Sequence, residues 1–185
     1  AIRRRQSYRT YNERPLSLDE LSFLLWATQG VRNLIQGGAV VRRTVPSAGS
    51  RHPFETYLLV QRVQGLEMGV YRYLSLQHQL CLLRADPDLP AHASSACANF
   101  AGQAAVVFAW TALPYRTEWR YGAIAPKLVT LDAGHICQNL YLAVAAIGAG
   151  TCAVAAYHQD EMDELLGVDR VDEFTIYCAP VGKVG

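Results

Sequence analysis

The chain has 185 residues, 51% hydrophobic and 18% charged, which suits one packed domain and excludes a disordered polymer. Its 17 lysines and arginines nearly balance 16 aspartates and glutamates, and a net charge of +1 offers no general field for nucleic acid or an anionic membrane. Five cysteines, an odd number with no Cys-x-x-Cys pair, read as reduced thiols of a cytoplasmic protein.

Arg3, Arg4 and Arg5 open the chain as a local basic run, either a solvated tail or a phosphate-binding cluster. Ser17-Leu18-Asp19-Glu20 is a capping box, and a helix over residues 18–28 follows, stopped by Gly30. Leu21, Leu24, Leu25 and Trp26 recur at helical spacing, which assigns them to core or subunit contact. Gly37 and Gly38 form a loop leading to Pro46-Ser47-Ala48-Gly49-Ser50-Arg51-His52-Pro53, a stiff turn whose small residues let backbone amides approach a planar ligand.

Residues 54–63, 70–74 and 79–83 are rich in β-branched and aromatic side chains and read as an antiparallel set of strands. A short helix is expected near residues 92–99 and a buried strand over 104–110. Residues 132–147 form a central helix, apolar nearly all round, which must be buried against both the sheet and a partner subunit. Another short helix runs from Asp160 to Gly167, and residues 174–181 form the last strand. Helices on a mostly antiparallel sheet make an α+β domain, here a single one over residues 1–185 without repeats or a linker.

Cys137, Cys152 and Cys178 lie in apolar stretches and read as small buried hydrophobes. His135 and Cys137 lack further ligands at useful spacing, so no metal site is expected. His135 itself has two readings: a proton donor to a reduced substrate, or, the favoured one, a core histidine bonded to a carbonyl. No secretory pattern opens the chain, and the longest apolar run, around 140–154, is glycine-punctuated and too short to span a bilayer.

Arg5-Gln6-Ser7-Tyr8-Arg9 supplies two cations and a hydroxyl, donors suited to a phosphate monoester and an electron-rich ring. Together with the 46–53 turn, Asp132-Ala133-Gly134-His135, Gly148-Ala149-Gly150-Thr151-Cys152 and the closing Tyr177-Cys178-Ala179-Pro180-Val181-Gly182-Lys183, it resembles the nitroreductase superfamily of FMN enzymes. The similarity is to the SagB-like branch, which includes thiazoline and oxazoline dehydrogenases, and it runs nearly end to end.

The resemblance implies an intertwined homodimer with FMN at the subunit interface. Arg5 and Ser7, with Lys183, would hold the phosphate, Gln6 would touch the cofactor, and Arg9 would lie against the pyrimidine edge, although a surface ion pair is its plainer reading. Pro46, Ser47, Ala48 and Gly49 would come from the other subunit. Val154, Ala155 and Ala156 match the segment that lies along the flavin and donates a backbone N–H to N5, the atom that exchanges hydride. Family members often carry proline and glycine there, where this chain has Ala153 and Ala155.

Arg120 and Tyr121 occupy the place of a Lys-Tyr pair that assists proton removal in azoline dehydrogenases, and arginine is a poor base. The implied function is an FMN-dependent oxidoreductase of two half-reactions. Its substrates would be a nitro or quinone-like acceptor with NAD(P)H, or a specialised metabolite such as an azoline-containing peptide. The alternative is a flavin-binding sensor or scaffold without turnover.

Overall fold

A computed structural model describes residues 2–185. In chain order its elements are α1 (Leu18–Gln29), β1 (Val31–Ile35), β2 (Val40–Arg43), β3 (Phe54–Val60), β4 (Gly69–Leu74), β5 (Gln79–Ala85), α2 (Leu89–Ala96) and β6 (Val106–Ala112). There follow α3 (Tyr115–Tyr121), α4 (Ala125–Ala146), β7 (Ala149–Thr151), α5 (Gln159–Leu166) and β8 (Phe174–Lys183).

All seven residues of β6 are buried, and β6 lies in the interior of a six-stranded sheet of order β5-β4-β3-β6-β8-β7. Every named strand pair in that sheet is antiparallel. Successive side chains of β6 feed opposite faces, as the two-residue period of a strand requires. Phe108 and Trp110 join Leu21, Leu24 and Leu25 of α1 and Ile136 and Leu140 of α4 on one face. Val107 and Ala109 join Leu89 of α2 and Met162 of α5 on the other. The α+β architecture is therefore three layers, helix pair on sheet on helix pair.

The capping box forms as the sequence dictates: Glu20 N–H donates to Ser17 Oγ at 3.1 Å and Ser17 N–H to Glu20 Oε2 at 2.9 Å. Trp26 departs from the core expectation and is 49% exposed. The hairpin β1–β2 and helix α3 had no clear period in the sequence, and β7 is only three residues long. Residues 61–63, expected to extend β3, lie beyond its end at Val60.

The central helix begins at Ala125, a turn and a half to two turns before the expected start at Asp132, because Pro126 falls in its first turn, where a missing N–H costs nothing. His135 corrects the favoured reading. Its side chain is 52% exposed and its Nδ1 lies 3.9 Å from the buried Asp132 carboxylate, so it is no core histidine bonded to a carbonyl. The burial of Cys137, Cys152 and Cys178 is as expected, and all five cysteines are free. Among the described residues no helix is long and apolar enough to cross a membrane.

The N-terminal segment is sewn along the β7 edge. Tyr8 N–H donates to Thr151 O at 3.0 Å, Ser7 bridges Thr151 in parallel, and Asn12 N–H donates to Lys183 O at 2.9 Å. Tyr11 Oη lies 2.9 Å from Tyr8 O and 3.0 Å from Pro180 O. This close approach needs two glycines. A Cβ on Gly150 would stand 2.6 Å from the Tyr8 ring, and one on Gly182 would stand 2.7 Å from Tyr11 Cβ.

Gly182→Ala is accordingly expected to push Tyr11 off the sheet, costing about 1–3 kcal/mol in urea unfolding, the range for overpacking. Trypsin should then cleave faster within the Arg3 to Arg9 segment. Unchanged stability together with unchanged cleavage would show that the segment tolerates the extra methyl.

Candidate functional site

The segment sewn to β7 carries the first set of expected residues. Ser7 Oγ lies 3.1 Å from Tyr141 Oη, and the Arg5 guanidinium sits 5.4 Å from the centre of the same ring. Tyr141 Oη also accepts the Ala153 N–H at 2.9 Å, so one α4 side chain ties Arg5, Ser7 and the segment after β7 together. Gln6, Ser7 and Arg9 are exposed. Among the described residues the guanidinium groups of Arg5 and Arg9 have no carboxylate within ion-pair distance.

Val154, Ala155 and Ala156 follow on the same edge. Val154 is buried and its N–H donates to Cys178 O at 2.8 Å, so its amide is committed to the sheet. Ala155 and Ala156 are exposed, and among the described residues their N–H groups have no acceptor. Lys183 is differently engaged: its ammonium contacts the Glu20 carboxylate and donates to Ile147 O at 3.2 Å, and it is mostly buried. That pairing helps hold the Glu20 carboxyl below its usual range, against the burial that would raise it.

The second set gathers at the other end of α4. Ala48 N–H faces both oxygens of Asp132, at 3.2 and 3.1 Å, and Ser47 Oγ accepts the His52 N–H at 2.8 Å. Gly49, Ser50 and His52 all have positive φ, 56°, 57° and 46°, a conformation that costs energy for the two residues with side chains. A Cβ on Gly49 would meet Tyr121 Oη at 2.5 Å, so Tyr121 lies directly against the turn. Arg120 lies over the Tyr121 ring at 5.5 Å, and Arg51 over Trp119 at 5.1 Å. Pro46 is exposed at the start of the turn.

Asp132 and Tyr141, the anchors of the two sets, are nine residues apart on one helix. At 100° and 1.5 Å per residue that places them on opposite sides, with an axial separation of about 13 Å. The structure thus brings Arg5, Ser7 and residues 153–156 together, and brings residues 46–49 together with Arg120 and Tyr121, but keeps the two groups apart within one chain. Beside the second set, Ile124 just before α4 and Leu131 and His135 on it face solvent, the first two 57% and 52% exposed.

Two residues that organise the walls had no role assigned from sequence. Asp132 carried a usable signal, a carboxylate inside an otherwise apolar helix, which must find donors when buried. Tyr141 carried none, because a tyrosine in an apolar helix reads equally as core.

The nitroreductase family profile matches residues 2–183. The chain belongs to the nitroreductase family. A Methanocaldococcus jannaschii protein described as a nitroreductase is 34% identical over 182 residues, covering 97% of this chain and 87% of that one. The trifolitoxin-processing protein TfxB of Rhizobium leguminosarum bv. trifolii is 30% identical over 163 residues, which are 83% of this chain and 44% of TfxB.

A Ralstonia eutropha crystal structure described as a nitroreductase superposes with a TM-score of 0.83 at 26% identity, covering all of this chain and 81% of that one. A chain of the Escherichia coli microcin synthetase McbBCD complex shares the fold, with a TM-score of 0.80 at 18% identity, covering 97% and 71%. The protein is accordingly an oxidoreductase of a family whose members generally bind flavin, with a SagB-like character.

His52, beside the second wall, gives a pH test of this region. Burial is the main cause that lowers its pKa, to about 4, with the Arg43 charge acting in the same direction and the bond to Val41 O opposing. The unfolded chain therefore binds a proton between pH 6.5 and about 4 that the folded protein refuses, so stability falls as pH drops through that window. The loss is of the order of 3 kcal/mol at most. Urea midpoints at pH 7 and 4.5 should differ less in His52→Gln than in the wild type, and equal differences would remove His52 from the acid response.

Proposed function

We propose that the protein is an FMN-dependent oxidoreductase acting in two half-reactions, with each cofactor held between two copies of the chain. The observation that carries this reading is the separation of the two walls across α4. Neither wall alone encloses a planar ligand, and a two-fold copy would bring residues 46–49 of one chain toward Arg5 and Ser7 of the other. Their donor chemistry fits a flavin monophosphate: two guanidinium groups without ion pairs, a hydroxyl, and two free amides at Ala155 and Ala156 on one open edge.

FMN, when bound, supplies hydride exchange at its N5. The chain's own residues would do the rest. Arg5 and Ser7 hold the phosphate dianion through charge-assisted hydrogen bonds. Lys183, already facing Glu20, contributes less to the phosphate than an unpaired lysine would. Arg9 would lie where a cation stabilises negative charge at the pyrimidine edge. The free amides at 155 and 156, rather than that of Val154, are the donors available toward N5. Gln6 borders the ring, and Pro46, Ser47, Ala48 and Gly49 of the second copy cover its other side and exclude water, held in place by Asp132.

Tyr121, against Gly49, is positioned to hold or pass a proton to a substrate resting on that wall, with the Arg120 guanidinium over its ring. Arginine is a poor base, so Arg120 is not assigned that role. That favours a nitro or quinone-like acceptor reduced with NAD(P)H over azoline oxidation. Similarity to TfxB supports a second reading, oxidation of a specialised peptide. A flavin-binding scaffold without turnover is the outcome to be excluded, and stopped-flow mixing with NADH or NADPH excludes it if the flavin is reduced.

FMN, not FAD, is expected to copurify, as mass spectrometry of the released flavin will read. Arg5→Ala should weaken FMN binding to apoprotein by about 1.5–3 kcal/mol, the contribution of one charged hydrogen bond. Lys183→Ala should weaken it less. Equal affinities for wild type and Arg5→Ala would take Arg5 out of the site.

The protein is also expected to sediment as a homodimer, since Ile124 and Leu131 are exposed apolar side chains at the start of α4 that a second copy would cover. Leu131→Glu should shift it toward monomer and lose FMN together. A monodisperse monomer that binds FMN tightly would contradict the shared site.

A further inference from the structure

Beneath the second wall lies a cavity of about 360 Å³, bounded by β2, the 50–55 segment, the start of α3 and the turn between β4 and β5. Its lining shares Ser50, Arg51 and His52 with the 46–53 turn, but none of Pro46, Ser47, Ala48 and Gly49, which are assigned to the cofactor. Its charged lining is Arg43, Arg51, Arg116, His52 and a single carboxylate, Glu55.

That carboxylate is already shared. Glu55 Oε1 accepts from Arg116 at 2.5 Å and Oε2 faces Arg72 at 3.1 Å, so two guanidinium groups divide one negative charge. Arg43 has no carboxylate within ion-pair distance among the described residues. It donates to the neutral amide oxygen of Gln29 at 2.5 Å, and its Nε is buried without a partner. A guanidinium carries five N–H donors, so most of the Arg43 set is unassigned. Arg51 stands at the rim, donating to Gly49 O at 2.9 Å.

A half-open cleft with more guanidinium than carboxylate is unfavourable without an anion, because partial burial strengthens the repulsion between like charges. Planar guanidinium forks match the oxygens of a carboxylate or a phosphate. We propose that this cavity binds a small oxyanion, the carboxylate or phosphate group of a ligand, between Arg43 and Arg116, with Glu55 competing for the same donors. His52 reports on the pocket, since the nearby Arg43 disfavours its cation and an added anion would favour it.

Glu55 gives the proposal its distinctive consequence. Removing its charge frees Arg116 and Arg72 and should strengthen anion binding, whereas a merely structural ion-pair cluster would only lose stability. The cleft does not include Arg5, Ser7 or Lys183, so the test is made on protein saturated with its cofactor, where added phosphate cannot compete at Arg5.

Inorganic phosphate and acetate are titrated in parallel at constant ionic strength, which removes general screening, and the ring protons of His52 are followed by NMR. The expected result is saturable movement of those signals with at least one anion, and the anion that saturates identifies the group recognised. Arg43→Gln should weaken binding about tenfold or more, as loss of a charged hydrogen bond implies. Glu55→Gln should tighten it several-fold. Linear, unsaturable shifts with both anions would overturn the proposal, as would equal affinity in wild type and Arg43→Gln. Should Arg43→Gln fail to fold, Arg116→Gln is read in its place, and unchanged affinity there is equally fatal.

Discussion

The 22 residues of α4, about 33 Å of helix, constrain everything else in this molecule. One side of the helix must bury Ile136, Leu140 and Val144 against the sheet, and this fixes its rotation. Once the rotation is fixed, Asp132 can reach only the 46–49 turn and Tyr141 only the N-terminal segment. The two walls are consequently held rigidly, but apart. A side chain moved by one position along α4 would turn by 100° and lose its partner. The same rotation leaves Leu131 exposed, which links the positions of the walls to an apolar surface that a second copy would cover.

The sheet provides the second reference frame. Because β7 is short and lies at the edge, its outer hydrogen-bonding groups are available to the N-terminal segment, and Ser7 and Tyr8 take them. Two glycines without Cβ atoms let Tyr8 and Tyr11 lie flat on the sheet. Residues separated by about 150 positions in the chain, Arg5 and the 153–156 stretch, thereby share one edge. Among the described residues the edge keeps unpaired donors: free amides at Ala155 and Ala156, and guanidinium groups of Arg5 and Arg9 without a carboxylate partner. Such an edge suits an anionic, planar, acceptor-rich ligand, as expected for a family whose members generally bind flavin.

Charge is distributed with a local purpose that the net value hides. A chain of net charge +1 still concentrates guanidinium groups in two places, along the N-terminal wall and around Glu55. The ammonium of Lys183, by contrast, is offset by Glu20, whose carboxylate also closes the α1 capping box. One carboxylate thus joins the start of α1 to the end of β8, and the lysine serves the fold at least as much as any ligand.

The sequence by itself determined those features that depend on neighbours in the chain. The capping box at Ser17 to Glu20, the helix it starts, the strand character of β3 to β5 and the glycine that ends α5 all follow from local spacing. The family followed too, because its motifs are short segments in a fixed order. Only the tertiary structure decided the rest. It set the earlier start of α4, since a proline in a first turn is neutral and gives no boundary. It exposed His135, because which side of an apolar helix faces outward depends on what packs against it. It gave Tyr141 and Asp132 their positions as anchors, and it left Arg43 without a carboxylate partner. Contacts between residues a hundred positions apart leave no periodic trace in a chain, so their chemistry becomes visible only when the sheet and α4 bring them together.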